Sequence, residues 1–251
     1  VLPLGFPEVS EADVVGQHEL NLQREREVMP MALLSERDRK AIRDRLAGMT
    51  NPVKLVHFTQ ELECQFCRET RMLLEELAEL SDLIKLEKYN FVTNKEIAEQ
   101  YRIDKIPATV VMSEQKDYGI RFYGIPSGYE FASLLEDILM VSNGESGLQP
   151  DTKKALATIT QPVHIQVFVT PTCPYCPMAV RLAHQMAFES DLITGDMVEV
   201  TEFPHLGHKY RVMGVPRSVM NEKVILEGAV PERTFLQKVL EAARSTTPAT
   251  L

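Results

Sequence analysis

The chain of 251 residues contains no apolar run of the roughly 18 residues that a membrane-spanning helix needs, so no membrane protein of that type is read from it. It also lacks an excess of positive charge. There are 27 Lys and Arg against 36 Asp and Glu, a formal net charge of −9. A nucleic-acid binder usually presents a basic face, so that class is set aside, and the acidic balance speaks only for solubility. The opening residues lack a basic stretch leading into an apolar one. No secretory signal is read there, and the cytoplasm is the expected compartment. Cysteine is scarce too. All four cysteines fall in two C-x-x-C pairs, Cys64 and Cys67 in "ELECQFCR" and Cys173 and Cys176 in "TPTCPYCP". A reducing cytoplasm disfavours permanent disulfides, so such pairs point to metal binding or redox catalysis.

What is present is ordinary globular material, 44% hydrophobic and 25% charged, and it is written twice. "YRIDKIP" at 101–107 recurs as "YRVMGVP" at 210–216, and "NPVKLVHF" at 51–58 answers "QPVHIQVF" at 161–168. Pro107 follows Cys64 by 43 positions, and Pro216 follows Cys173 by the same 43, so the landmarks repeat at an offset of 109. A period of that size indicates tandem domains and not a solenoid of short repeats. Each copy opens with a helix and continues with an apolar strand that ends at the C-x-x-C. An amphipathic helix follows, then a strand, a short helix, a hairpin and a closing helix. We expect an α/β fold with an N-terminal extension over 1–34, one domain over 35–145 and a second over 146–247. The joint is "SNGESGLQP" at 142–150. The extension reads as partly disordered or packed on the body, and Met29 and Met31 are candidate translation starts.

A C-x-x-C at a strand-to-helix junction has a chemical consequence. The first cysteine is expected at the helix N-terminus, where free N–H groups and the helix dipole stabilise a thiolate. The second, about one turn on, can attack a mixed disulfide formed by the first. Pro174 and Pro177 are expected in the first helical turn, where no donor is lost. Glu61 and Glu63 precede Cys64, with Arg68 and Arg71 to offset them, whereas no acid lies between Thr170 and Pro177. Cys173 is therefore expected to be the more acidic thiol. Ile106–Pro107 and Val215–Pro216 stand just before strands, where a proline needs a reason such as a cis bond at a tight turn.

These residues resemble the thioredoxin fold, and "CPYC" is the glutaredoxin-type active-site sequence. Two such units in tandem, "CQFC" then "CPYC", resemble the protein disulfide oxidoreductases of hyperthermophilic archaea and bacteria over about residues 35–245. The resemblance implies two tandem thioredoxin-fold domains, each a central mixed β-sheet flanked by helices. It implies a cytosolic dithiol–disulfide oxidoreductase that reduces, forms or isomerises disulfides in client proteins. Cys64 and Cys173 would attack and Cys67 and Cys176 resolve. Pro107 and Pro216 would be cis, and Ile106 and Val215 beside them would pair with an extended client segment. No cofactor would be bound to the chain, and reducing equivalents would come from an NADPH- and flavin-dependent, thioredoxin-reductase-like partner. The chain departs from thioredoxin in having no tryptophan. Ala229 after Gly228 speaks against a glutathione mechanism, and neither "VKLVHF" nor "HIQVFV" carries the buried acid. Glu61 or Glu63 is the candidate proton carrier at the first site.

Two other readings compete. A structural four-cysteine zinc site needs four sulfurs about 2.3 Å from one metal, whereas the pairs here lie far apart in sequence, each with its own proline. Alternatively one unit is redox-active and the other binds clients. His205 and His208 have i,i+3 spacing but no acidic or thiol ligand beside them, and read as a solvated turn. His57 in a strand and His184 on the active-site helix read as packing residues. Glu- and Arg-rich helices suit a thermophile. The sequence sets no oligomeric state.

Overall fold

A computed structural model describes residues 32–245. All but the last three residues of the extension expected over 1–34 thus lie outside the described part, as do both candidate start methionines. Helix α1 (Glu36–Leu46) begins where Ser35 Oγ accepts a hydrogen bond from the Asp38 amide, with Glu36 and Asp38 at its positive end and Arg43 and Arg45 at its negative end. It buries Ile42 and Leu46. The rest of the first half is β1 (Val53–Thr59), α2 (Cys67–Ala78), β2 (Ile84–Asn90), α3 (Lys95–Gln100), β3 (Ala108–Ser113), β4 (Asp117–Tyr123) and α4 (Glu130–Asn143). The second half repeats the order with α5 (Pro150–Leu156), β5 (Val163–Val169), α6 (Cys176–Glu189), β6 (Ile193–Glu199), α7 (Pro204–Lys209), β7 (Arg217–Met220), β8 (Val224–Glu227) and α8 (Glu232–Ser245).

The apolar runs of β1 and β5 become central strands because both of their faces are covered. β1 pairs in parallel with β2 and antiparallel with β3, and β5 does the same with β6 and β7. The two halves do not keep separate sheets. They form one eight-stranded sheet in the order β2-β1-β3-β4-β6-β5-β7-β8. The seam is a parallel pairing of β4 with β6, running from Ile120↔Gly195 to Tyr123↔Val198. Sequence patterning held no sign of this pairing. At the seam Gly195 leaves space that no other residue would, since a Cβ there would stand 2.9 Å from the Ala183 carbonyl oxygen of α6.

Both faces of the sheet are covered across the seam. One core joins Leu55, Leu74, Ile120 and Leu134 of the first half to Ile165, Val180 and Met197 of the second. On the opposite face Phe58 and Val110 share a core with Phe168, Val198 and Phe203. The described residues from Leu34 onward accordingly cluster as one compact unit. Helix α4 of the first half packs against α6 of the second. About two turns into each, His184 Nδ1 meets Asp137 Oδ2 at 2.5 Å in a fully buried contact. Before their starts the Tyr129 amide donates to the Pro171 carbonyl, and towards their ends Gln185 Nε2 donates to the Ser146 carbonyl, so the two helices run side by side in the same direction with their N-termini at the same end.

Candidate active site

Each cysteine pair sits where a central strand gives way to a helix. Cys64 is bonded to Cys67 and Cys173 to Cys176, with Cα atoms 5.5 Å apart in both. Cys67 and Cys176 open α2 and α6 and are fully buried. Cys64 is half-buried and Cys173 is 7% exposed, so within each pair the first sulfur is the one nearer to solvent. The first cysteines, expected at the helix N-terminus, stand three residues ahead of the helices that Cys67 and Cys176 open. The Cys173 amide donates to the Thr170 carbonyl in a separate turn, one step ahead of the helix. Pro177 lies in the first turn of α6, as expected, but Pro174 precedes the helix and stiffens that turn instead.

Ile106–Pro107 and Val215–Pro216 are both cis, and each leads directly into the strand beside the cysteines. The Val215 carbonyl oxygen lies 3.7 Å from Cys173 Sγ. Pro107 accepts from the Gly124 amide and Pro216 from the Gly228 amide, which fixes the two loops in the same way. The structure thus brings together Cys173, Cys176, Val215 and Pro216, and at the other site arrays Cys64 and Cys67 at the end of β1 beside the loop of Ile106 and Pro107. The two sites stay apart. Strands β3, β4 and β6 intervene between β1 and β5, four spacings of about 4.8 Å or roughly 19 Å. Four sulfurs so divided cannot converge on one zinc ion.

The charges near Cys64 are partly accounted for within the first unit, because Glu61 pairs with Arg71 at 3.1 Å. Glu63 is exposed. His57 is buried in β1, with Nδ1 at 3.1 Å from both the Ala108 carbonyl and Thr109 Oγ1, and burial pushes it down to about 4. It is neutral at physiological pH. His205 and His208 are exposed on α7.

The buried acids that the central strands lack come from elsewhere. Glu130, the first residue of α4, is 1% exposed, and its carboxyl is pushed up to about 7. Burial is the chief cause and the Asp137 charge adds to it, against the Ser133 hydroxyl that donates to Oε2 at 2.7 Å and the nearby His184. Its Oε1 is buried without a hydrogen-bond partner. The loop just before it docks on the second site. The Tyr129 amide donates to the Pro171 carbonyl at 3.1 Å, and a Cβ on Gly128, at φ +60°, would overlap that same carbonyl. Because α4 and α6 run in the same direction, Glu130 of the first half stands at the same end as Cys176 of the second. At the seam, Glu202 accepts from the Ile125 amide at 2.7 Å and is also pushed up to about 7, chiefly by burial. Sequence reasoning passes over Glu130 as an ordinary first-turn acid. The signal was the repeat itself, since the aligned position in the second copy is the uncharged Thr234.

The paired dithiols, the cis-prolines and the repeated strand order define a tandem thioredoxin-fold dithiol–disulfide protein. Residues 163–241 match the family model of the thioredoxin domain. The structure is similar to a protein disulfide oxidoreductase from Aeropyrum pernix k1, with a TM-score of 0.79 and 35% identity over 84% of this chain and 94% of that one. It is similar to the F subunit of the alkylhydroperoxide reductase of Enterococcus faecalis, with a TM-score of 0.76 and 26% identity over 82% of this chain and 99% of that one. In sequence it is 27% identical over 167 residues to an NADH dehydrogenase of Bacillus subtilis, covering 66% of this chain and 30% of that protein. It is 29% identical over 175 residues to the F subunit of the alkyl hydroperoxide reductase of Staphylococcus epidermidis, covering 68% of this chain and 31% of that protein. The chain therefore spans about a third of the length of these two relatives. It belongs to the protein disulfide oxidoreductase family and is an enzyme of thiol–disulfide exchange.

Proposed function

We propose that the enzyme reduces, forms or isomerises disulfides in client proteins at both C-x-x-C sites, with Cys64 and Cys173 attacking and Cys67 and Cys176 resolving. The observation that carries the assignment is the burial order within each pair, since a client sulfur can approach the outer sulfur but not the inner one. In the reductive direction the Cys173 thiolate attacks a client disulfide, forms a mixed disulfide and releases one client thiolate. Cys176 then gives up its proton and attacks the Cys173 sulfur. This closes the Cys173–Cys176 disulfide and releases the second client thiolate, so one client disulfide is reduced as one enzyme dithiol is oxidised. A Glu130 carboxylate would take the Cys176 proton and hand it to the leaving client thiolate. Ile106 and Pro107 at the first site, and Val215 and Pro216 at the second, would bind the client backbone. The domain boundaries at 35–145 and 146–247 then separate one complete dithiol unit from the other.

Reducing equivalents would come from an NADPH- and flavin-dependent, thioredoxin-reductase-like protein. The names of the two sequence relatives, one an NADH dehydrogenase and one a reductase component, support a pyridine-nucleotide source. Among the described residues no helix is long and apolar enough to cross a membrane. The compartment would be the cytoplasm, where a reducing thiol pool keeps such dithiols in exchange. Insulin reduction by the wild type, by Cys64→Ser with Cys67→Ser, and by Cys173→Ser with Cys176→Ser tests the reading. Each paired variant should retain partial turnover, and loss of all four cysteines should abolish it. If removal of Cys64 and Cys67 leaves turnover unchanged, the first unit is a binding module and not a second active site.

A further inference from the structure

The repeat allows the rims of the two sites to be compared position by position. In the first copy Glu63, Arg68 and Glu69 flank the cysteines in sequence, and Asp104 and Lys105 lead into the Ile106–Pro107 loop, with the half-buried Lys105 turned over the Tyr123 ring. At the 109-residue offset the second copy has Thr172, Pro177, Met178, Met213 and Gly214, so five charged positions are all uncharged. At the first site the charges are on the surface. Glu63, Arg68, Glu69 and Asp104 are exposed, and Asp104 pairs with Lys105 at 2.7 Å.

At the second site Thr172 is exposed, and the large exposed side chains are apolar. Tyr175 is 65% exposed, Met178 55%, Met213 93% and Tyr129 51%. They come from four places that the geometry draws together. Tyr175 lies between the cysteines, and Met178 lies in the first turn of α6. Met213 is two residues before Val215, whose carbonyl lies 3.7 Å from Cys173 Sγ. Tyr129 belongs to the first half and is brought in by the hydrogen bond that its amide donates to the Pro171 carbonyl. Exposed apolar groups clustered around one reactive sulfur lose contact with water only when something covers them. Whatever carries the disulfide that Cys173 attacks must pass through this rim. Methionine is suited to that contact, because its flexible, polarisable side chain packs against varied partners. The first site has the apolar, exposed Leu62, but among charges that an apolar segment would have to desolvate without a partner.

Resting on the two-site reading above, we propose that the second site is specific for disulfides carried by extended, uncharged apolar segments, of the kind an incompletely folded chain exposes. Tyr175, Met178, Met213 and Tyr129 are the residues that determine this specificity. The first site takes cysteines flanked by charged residues.

The test uses two full-length proteins. One retains only the second site (Cys64→Ser with Cys67→Ser) and the other only the first (Cys173→Ser with Cys176→Ser). Each is given two synthetic peptide disulfides of equal length, with the cysteines flanked by Leu, Phe and Val in one and by alternating Glu and Lys in the other. The readout is the ratio of kcat/KM for the apolar over the charged peptide within each protein, which cancels any loss of folded material. The second site alone should favour the apolar peptide by about tenfold or more, the scale of burying one or two apolar side chains, and the first site alone should not. Met213→Asp with Gly214→Lys, copying the first rim onto the second, should lower that ratio about tenfold. Asp104→Met with Lys105→Gly should raise it at the first site. Equal ratios at the two sites, or ratios that do not move in the exchanged variants, overturn the specificity while leaving both sites redox-active. A second site that turns over neither peptide overturns the two-site reading itself, and the specificity with it.

Discussion

Replacing Glu130 with Gln is the perturbation whose outcome follows most directly from the structure. Glu130 opens helix α4, where the dipole and free N–H groups favour a carboxylate by about 0.3–1 kcal/mol. Burial acts in the opposite direction and wins, because the group moves from an ordinary 4.5 up to about 7. A rise of that size is on the order of 3 kcal/mol of preference for the protonated form. The groups that face it from the packed helices are Ser133 and Asp137 on α4 and His184 on α6. The native state holds a proton that the unfolded chain releases above about 4.5, so the contribution is fully present below that pH. It is lost as pH rises to about 7 and is constant above it. Gln has the same shape and no such titration. In oxidised protein, Glu130→Gln should match the wild type near pH 4 and gain up to about 3 kcal/mol on it by pH 8, read from urea midpoints across the range. The kinetic arm uses protein with Cys64→Ser and Cys67→Ser. A mixed disulfide at Cys173 is formed in stopped flow, and its resolution by Cys176 is followed. A general base titrating near 7 typically supplies about 10²–10⁴ in rate, so resolution should slow by at least about tenfold and lose its inflection near pH 7. An unchanged resolution rate with the inflection intact would refute the catalytic role of Glu130, even if the stability profile flattened as expected.

Two further predictions concern buried histidines. His184→Ala strips the buried Asp137 carboxyl of its partner and opens a cavity between α4 and α6, and should cost about 3–5 kcal/mol, measured as a fall in denaturant midpoint at neutral pH. His57 is held near 4, below its ordinary 6.5, so the unfolded chain takes up a proton that the native state refuses. Stability should therefore fall as pH drops from about 6.5 towards 4, and His57→Gln should remove that slope in the same urea series.

Much of this molecule could be read before it was seen, for local reasons. Val53–Phe58 and Val163–Val169 are β-rich runs interrupted only by Lys54 and His57 in the first and His164 and Gln166 in the second, and runs so largely apolar suit central strands between covered faces. The 43-residue interval from cysteine to proline fixed which loop faces which dithiol in both copies. The β4–β6 seam was not legible, because every strand edge offers the same backbone groups and nothing in "DYGIRFY" names its partner. The tolerance of the seam for only a glycine at Gly195 depends on the approach of α6, which is a tertiary fact. Glu130 escaped for a related reason. An acid in a first helical turn is the commonest pattern on a helix surface, and its burial arises only because α4 reaches across to the other half.

That reach explains why the two sites differ in more than their cysteines. The strand beneath each dithiol is apolar, so any proton-accepting carboxyl has to be supplied by a neighbouring element. The halves are joined edge to tail, with β4 of the first beside β6 of the second, and this lays the closing helix of the first half along the active-site helix of the second. The relation is not reciprocal. The closing helix of the second half, α8, packs on β5, β7, β8 and α5 of its own half, at the opposite end of the sheet from α2 on β1 and β2. The first site is left with Glu61, already paired to Arg71, and with Glu202 across the seam at the Ile125 amide. Glu202 shares its surroundings with Glu199 and Glu69, whose charges help to hold it protonated. Two units joined head to tail in one sheet thus have unequal surroundings even from identical starting copies. The second dithiol has the closing helix of the other half beside it and the first lies toward the β2 edge of the sheet, so the surroundings of the two differ by topology before any active-site residue is compared.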